Sequence, residues 1–177
     1  MTSWRISLPL LKIFFLAIFW VGGILKMASL QPMDRKGKKK FLAILEEHFG
    51  FSGELPYQFI VSDKNKVFVV NPEISQIPFE NIRMNSIGLY LGEWNGNEIR
   101  VSIEGSQLIG RGATNNVVEV SEQDARKWLK GENLSFDGKS RGFVIIKCGD
   151  DFLGSGKGKD GVVLNFVPKA RRLNVSD

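Results

Sequence analysis

At 177 residues and 43% hydrophobic, the chain suffices for one globular domain, or two small ones packed together, without disulfides or a structural metal. It holds one cysteine, Cys148, and one histidine, His48, so a Cys/His metal cluster and a disulfide framework are excluded. The net charge of +5 is uneven: basic residues crowd 34–40 and 139–172 while 41–138 is net acidic, a pattern that favours one basic face for a polyanion over ordinary charge scatter.

Residues 6–25, "ISLPLLKIFFLAIFWVGGIL", are apolar apart from Ser7 and Lys12. The uninterrupted part, 13–25, falls short of the ~20 residues a spanning helix needs. Three readings compete for the stretch 1–33: a leader ahead of a true start at Met27 or Met33, a membrane anchor, or a secretory signal with a poor cleavage site. If it is an anchor, the basic cluster of residues 26–40 keeps the polar part on the cytoplasmic side. All but the signal reading place the polar part in the cytoplasm, which suits a lone cysteine in the strand-like "FVIIKCG".

From 36 to 49 the apolar residues Phe41, Leu42, Leu45 and Phe49 recur at helical spacing, and Gly50 stands where a helix stops. The lysines of "KGKKK" lie at the end of that helix the macrodipole disfavours for cations, so they read as solvated or ligand-facing. "YQFIVS" and "KVFVV" around "DKNK" predict a hairpin, and "NPEISQIP" a loop. "IGLYLGEW" and "EIRVSIE" flank a turn at Asn95-Gly96. "GSQLIGRGATN" holds one helical turn and a loop, and "VVEV" is a strand. In "SEQDARKWLKG", Ser121 caps a helix with Asp124 three residues on, and Gly131 ends it. Strands "GFVIIKC", "FLGSG" and "VVLNFV" follow, joined through "GDD" and "KDG". The class is α+β. A small α+β unit at 34–84 precedes a mainly antiparallel barrel or sandwich with short helices at 85–174, the boundary lying near 82–86.

The stretch "DFLGSGKGKDGVVLNFVPKARRLN" concentrates glycine and positive charge. It is not a Walker A loop, because the required earlier glycine and the following Ser or Thr are missing. Gly156, Gly158 and Gly161 have dinucleotide-fingerprint spacing, but a β-branched run and Pro168 follow in place of a helix. Ser155 lacks the Gly-x-Ser-x-Gly setting of a nucleophile elbow. His48 reads as half-buried and structural, and Glu46-Glu47 and Asp150-Asp151 as a solvated face and a turn. No general acid/base set assembles, so the chain reads as a non-enzyme without a cofactor or metal. Two readings of the stretch remain open. In one, the glycines bend a strand and the lysines are merely exposed. In the other, glycines let backbone N–H groups approach phosphates while Lys157, Lys159, Lys169, Arg171 and Arg172 supply charge. Trp128 reads as core, and Trp94 as core or as a base-stacking ring.

The run "RGFVIIKCGDDFLGSGKGKDGVVLNFVPKARRL", with "LGSGK" followed by "NFVPKARR", resembles the end of the PUA-like RNA-binding domain of Sun/RsmF-type RNA 5-methylcytosine methyltransferases; "ARKWLKGENL" is similar to a helix-then-Gly segment of those domains. The resemblance spans about 85–173. The unit at 34–84 is similar only in arrangement to the first half of small pre-PUA/PUA ribosome-assembly proteins. The chain lacks that family's S-adenosylmethionine-binding loop and its cysteine after proline, since Cys148 follows lysine. The resemblance thus implies the RNA-reading module without the catalyst. It carries over, by residue type, Gly154, Gly156, Lys157, Asn165, Lys169, Arg171 and Arg172, with Asn165 alternatively a turn cap and Lys169 and Arg172 alternatively paired with the acidic middle. The expected partner is structured RNA, ribosomal or transfer, and not DNA. The rivals are an accessory role on an RNA methyltransferase or ribosome-assembly factor, and membrane tethering if the leader is real.

Overall fold

The helices start and stop where the sequence supplies caps. In the structure, a computed structural model describing residues 30–73, 87–138 and 142–173, helix α1 (Arg35–Phe49) begins at Asp34, whose carboxylate accepts from the Gly37 amide at 2.7 Å. It ends at Gly50, left-handed at φ 64°, whose amide bonds Glu46 O. Its apolar face, Phe41, Ile44, Leu45 and Phe49, is buried. Helix α3 (Glu122–Lys130) is capped by Ser121, which accepts from the Asp124 amide, and is closed by Gly131 at φ 94°.

Strands β1 (Leu30–Pro32), β2 (Gln58–Ser62), β3 (Lys66–Val70), β4 (Leu89–Asn95) and β5 (Glu98–Val101) form one antiparallel sheet in chain order. The β2–β3 loop closes with Asn65 at φ 58°, a left-handed conformation asparagine tolerates. The β4–β5 turn is Gly96–Asn97, one residue later than expected, because Asn95 still pairs with Glu98. Strand "EIRVSIE" ends early at Val101, where Ser102 takes the chain into helix α2 (Ile103–Ile109) by accepting from the Gly105 amide at 2.9 Å. A 3-10 turn, Gly110–Gly112, extends α2, so this segment is more helical than its composition indicates.

The second sheet has the order β6 (Val117–Glu119), β8 (Gly142–Cys148), β9 (Asp151–Lys159), β10 (Val162–Leu164), β7 (Leu134–Ser135), with only β6 against β8 parallel. Asp160 and Gly161, at φ 49° and 80°, make the two-residue β9–β10 turn. The continuous apolar run of β8 follows from burial on both faces. Phe143 and Ile145 face a core shared with α1 and the first sheet, while Val144 and Ile146 face one built on Trp128 of α3. Trp128 is core, as its helical position indicates, and its indole donates to Leu153 O at 2.9 Å.

Two boundaries differ from the expected ones. Residues 30–33 belong to the fold, since β1 pairs with β2 and Met33 is buried; the remainder of the expected leader lies outside the described residues. The first sheet also runs across the division expected near 82–86, because β4 pairs with β3. The halves are tied together further: the His48 ring nitrogen hydrogen-bonds Phe143 O at 2.7 Å, and the Asn116 side chain donates to His48 O. Cys148 is half-buried. Among the described residues no helix is long and apolar enough to cross a membrane.

Candidate nucleic-acid interface

Gly154 and Gly156 are buried and face protein, which corrects their expected role beside an RNA backbone. Gly154 sits at φ 96° on β9, and its amide donates to Ser106 Oγ at 2.9 Å. A Cβ on Gly156 would lie 2.3 Å from Val163 Cγ1 and 2.6 Å from Trp128 Cη2, so glycine there makes room for the indole. Ser155 is buried between them and donates to Val101 O at 2.7 Å. This glycine run bends a strand beneath two helices.

Asn165 takes the capping role. Its amide group donates to Trp128 O and Glu132 O at 2.7 and 3.0 Å, and its carbonyl oxygen accepts from the Val167 amide at 2.8 Å. The Trp128 carbonyl also accepts from the Gly131 amide at the end of α3, so Asn165 adds a second donor there and a partner for Glu132 O just past the cap. Asn165 also diverts the chain, so "VVLNFV" is strand only to Leu164. Arg172, expected as an RNA contact, packs its guanidinium against Gly131 and donates from Nε to Val167 O at 3.0 Å. It fastens the chain end to α3.

The remaining four candidates are lysines and an arginine at the surface. Lys157 pairs with Glu98 at 2.9 Å, and Arg171 with Glu104. The acidic middle is thus met by these two residues rather than by Lys169 and Arg172. Lys159 and Lys169 are exposed and form no ion pair among the described residues.

What the fold does assemble is a line of two rings with a cation at each end. Lys157 Nζ lies 5.3 Å from the Phe143 ring centroid, Phe143 meets Phe166 edge to face at 5.7 Å, and the Arg100 guanidinium lies 5.3 Å over Phe166. Phe166 is 38% exposed. Arg100 is steadied by Glu93 at 2.6 Å, its partner across β4–β5. Beside this line, a recess of about 200 Å³ opens between β5, α2 and the 3-10 turn Lys169–Arg171; Tyr90, Arg100, Glu104, Phe166 and Arg171 line it. Burial, and then the Glu93 carboxylate, push the Tyr90 phenol up to about 12, so it stays protonated at neutral pH.

Tyr90, Arg100 and Phe166 escaped the sequence reading because they meet only through long-range packing. Two signals existed. In "EIRV" the alternation puts Arg100 opposite the buried Ile99 and Val101, and Phe166 breaks the apolar alternation just before Val167 and Pro168.

Other charged regions are less open. Lys38 folds back to donate to Tyr57 O at 2.8 Å and covers Phe59, although Arg35, Lys36, Lys39 and Lys40 are exposed. Trp94 packs edge to face on Phe41 and donates to Gly96 O, with Lys40 5.8 Å above its ring. A wider recess of about 530 Å³ includes Arg111, Glu119, Lys147 and Asp150, but Lys147 and Glu119 neutralise each other at 2.9 Å.

Residues 115–173 match the family described as "Methyltransferase RsmF PUA domain". Among curated proteins, the chain is similar to "Ribosomal RNA small subunit methyltransferase F" of Vibrio atlanticus, 26% identical over 164 residues that cover 85% of this chain and 35% of that protein. The proteins of the same name from Vibrio cholerae and Vibrio vulnificus are 24% and 22% identical, again over 85% of this chain and 35% or 34% of theirs. The chain spans about a third of the length of these relatives. The family match starts at 115 rather than near 85, consistent with β4 and β5 belonging to the first sheet. Residues 115–173, which hold α3 and the second sheet, are thus similar to the PUA domain of RsmF.

Proposed function

We propose that this chain is a non-catalytic RNA-binding module of the cytoplasm that holds structured ribosomal RNA, with transfer RNA the alternative of the same shape class. The observation that carries this reading is the line Lys157, Phe143, Phe166, Arg100, in which cations answer phosphates and an exposed ring answers a base face. Lys159 and Lys169, free of ion pairs among the described residues, add charge for the backbone. Structured RNA is read through shape, backbone and unstacked bases, which suits a surface with a few cations and one open ring. The names of the relatives support ribosomal RNA as the first candidate. They also support a division of labour in which this chain reads RNA and another domain or chain supplies methyl transfer. The non-catalytic reading is supported by the uses the fold already makes of reactive groups: His48 ties α1 to β8, and Ser155 is buried against Val101 O.

Filter binding of the full chain to small-subunit ribosomal RNA fragments and to transfer RNA, at about 50 and 200 mM salt, tests this. Affinity is expected to fall with salt, and to fall further on reversing Lys157, Lys159 and Lys169 to glutamate. Salt-independent binding, or binding unaffected by the triple reversal, would remove the proposal.

A further inference from the structure

We infer that the recess between β5, α2 and the Lys169–Arg171 turn receives a single unpaired RNA base, stacked on Phe166 and covered by Arg100. This rests on the RNA-binding reading and makes it specific. The volume sets the occupant's size: about 200 Å³ is below the ~300–1,000 Å³ of pockets that enclose larger ligands, and no duplex enters it. The ring is built for the task. Phe166 is an exposed aromatic on a segment held still from both sides, by the Asn165 side chain before it and by Arg172 donating to Val167 O after it. Phe143 abuts it edge-on, which leaves its face open toward Arg100.

The surrounding charge fits a nucleotide rather than an apolar peptide side chain. A base sliding onto Phe166 comes between the ring and the Arg100 guanidinium after a small outward swing of that side chain, and a planar cation then covers its second face. Arg171 lies exposed at the rim, paired with a half-buried Glu104, and a solvent-accessible pair of this kind opens to a phosphate because it is weakly held. Lys169, on the same turn and without an ion pair among the described residues, meets the neighbouring phosphate. The Glu104 carboxylate, so released, offers acceptors to an exocyclic amino group. The site joins the two sheets: Arg100 and Tyr90 come from the first, and Phe166 from the chain leaving the second.

The test is a cycle between protein and RNA. A small-subunit ribosomal RNA hairpin that the full chain binds is prepared with an abasic nucleotide at each loop position in turn. Affinities are measured for the unaltered protein and for Phe166→Leu, with thermal melting to verify that the variant folds. One loop position is expected at which the abasic change weakens binding by the unaltered protein about tenfold. At that position Phe166→Leu should show a loss below about twofold. If no position matters to the unaltered protein, or if the variant shows the same penalty, the base pocket is overturned while salt-dependent RNA binding stands. Failure of the unaltered protein to bind ribosomal or transfer RNA in a salt-dependent way overturns both readings.

Discussion

Gly156 and Gly149 look alike in sequence and do different work. A methyl group on Gly156 would press on Val163, Trp128 and Leu164 O, all within 2.7 Å, and two of these belong to a core that cannot yield cheaply. Gly156→Ala is expected to destabilise by about 1–3 kcal/mol or more, seen as a lower melting temperature. Gly149, at φ 57° with nothing within 4 Å of the place a Cβ would occupy, would suffer only backbone strain. Gly149→Ala should therefore cost about 1 kcal/mol. Equal losses would contradict the packing role of Gly156. Ser106 is a comparable single-residue support, since its hydroxyl accepts from the Gly154 amide and donates to Ile103 O. Ser106→Ala strands a buried N–H, with an expected cost of about 1–3 kcal/mol by chemical denaturation.

At the scale of elements, a side-chain clamp reinforces the backbone bonds at the end of α3 and at the β6–β8 edge. Asn165→Ala removes one of two donors to Trp128 O, the side-chain donor to Glu132 O and the acceptor for the Val167 amide. A loss of about 1–3 kcal/mol follows, or a few degrees at roughly 2–4 °C per kcal/mol for a chain of this size. Because Phe166 lies between Asn165 and Val167, RNA affinity should fall along with stability. On the parallel edge, hydrogen bonding from Lys147, aided by the Gly149 amide, holds the Glu119 carboxyl below its ordinary 4.5. A depressed carboxyl contributes stability above its unfolded value and loses it as pH falls through the folded one. Glu119→Gln should therefore lower the melting temperature slightly at neutral pH, and the difference from the unaltered protein should shrink as acidification protonates the folded-state carboxyl. A difference that persists at acid pH would show that the pair is not its source.

At the scale of the whole molecule, the two sheets share a core. Phe143, Ile145 and Phe152 of the second sheet pack with Phe41, Leu45 and Phe49 of α1 and with the first sheet's Val67, Leu91 and Ile99. Such sharing predicts one cooperative unfolding transition, with coincident far-UV dichroism and fluorescence curves and a calorimetric-to-van't Hoff ratio near 1. Phe152→Ala should lower stability by about 3–5 kcal/mol and move both probes together. Two separated transitions would mean that the sheets unfold independently. The proposed base pocket belongs to this scale as well, because its ring and its arginine come from opposite sides of the shared core.

The elements were legible wherever the physics is local. Asp34 is an exception in detail, since the helix signal began a residue late, but Ser121, Gly50 and Gly131 cap and stop helices where their side-chain and backbone chemistry requires. The β2–β3 hairpin likewise follows from turn residues lying between β-branched runs, and the β9–β10 hairpin from the Asp160-Gly161 turn signal before Val162. The sequence by itself therefore determined the α+β class, most element positions, the burial of Trp128 and the resemblance carried by "LGSGK" and "NFVPKARR". Whether a residue faces solvent or a neighbour was a different matter. Gly154 and Gly156 belong equally to a phosphate-approaching loop or a packed strand until α2 and α3 lie over them. Lys157 and Arg171 were visible as cations, but their partners Glu98 and Glu104 stand far away in the chain. Only the tertiary structure brought Arg100 of one sheet over Phe166 at the end of the other, because packing across a shared core leaves no periodic trace in sequence.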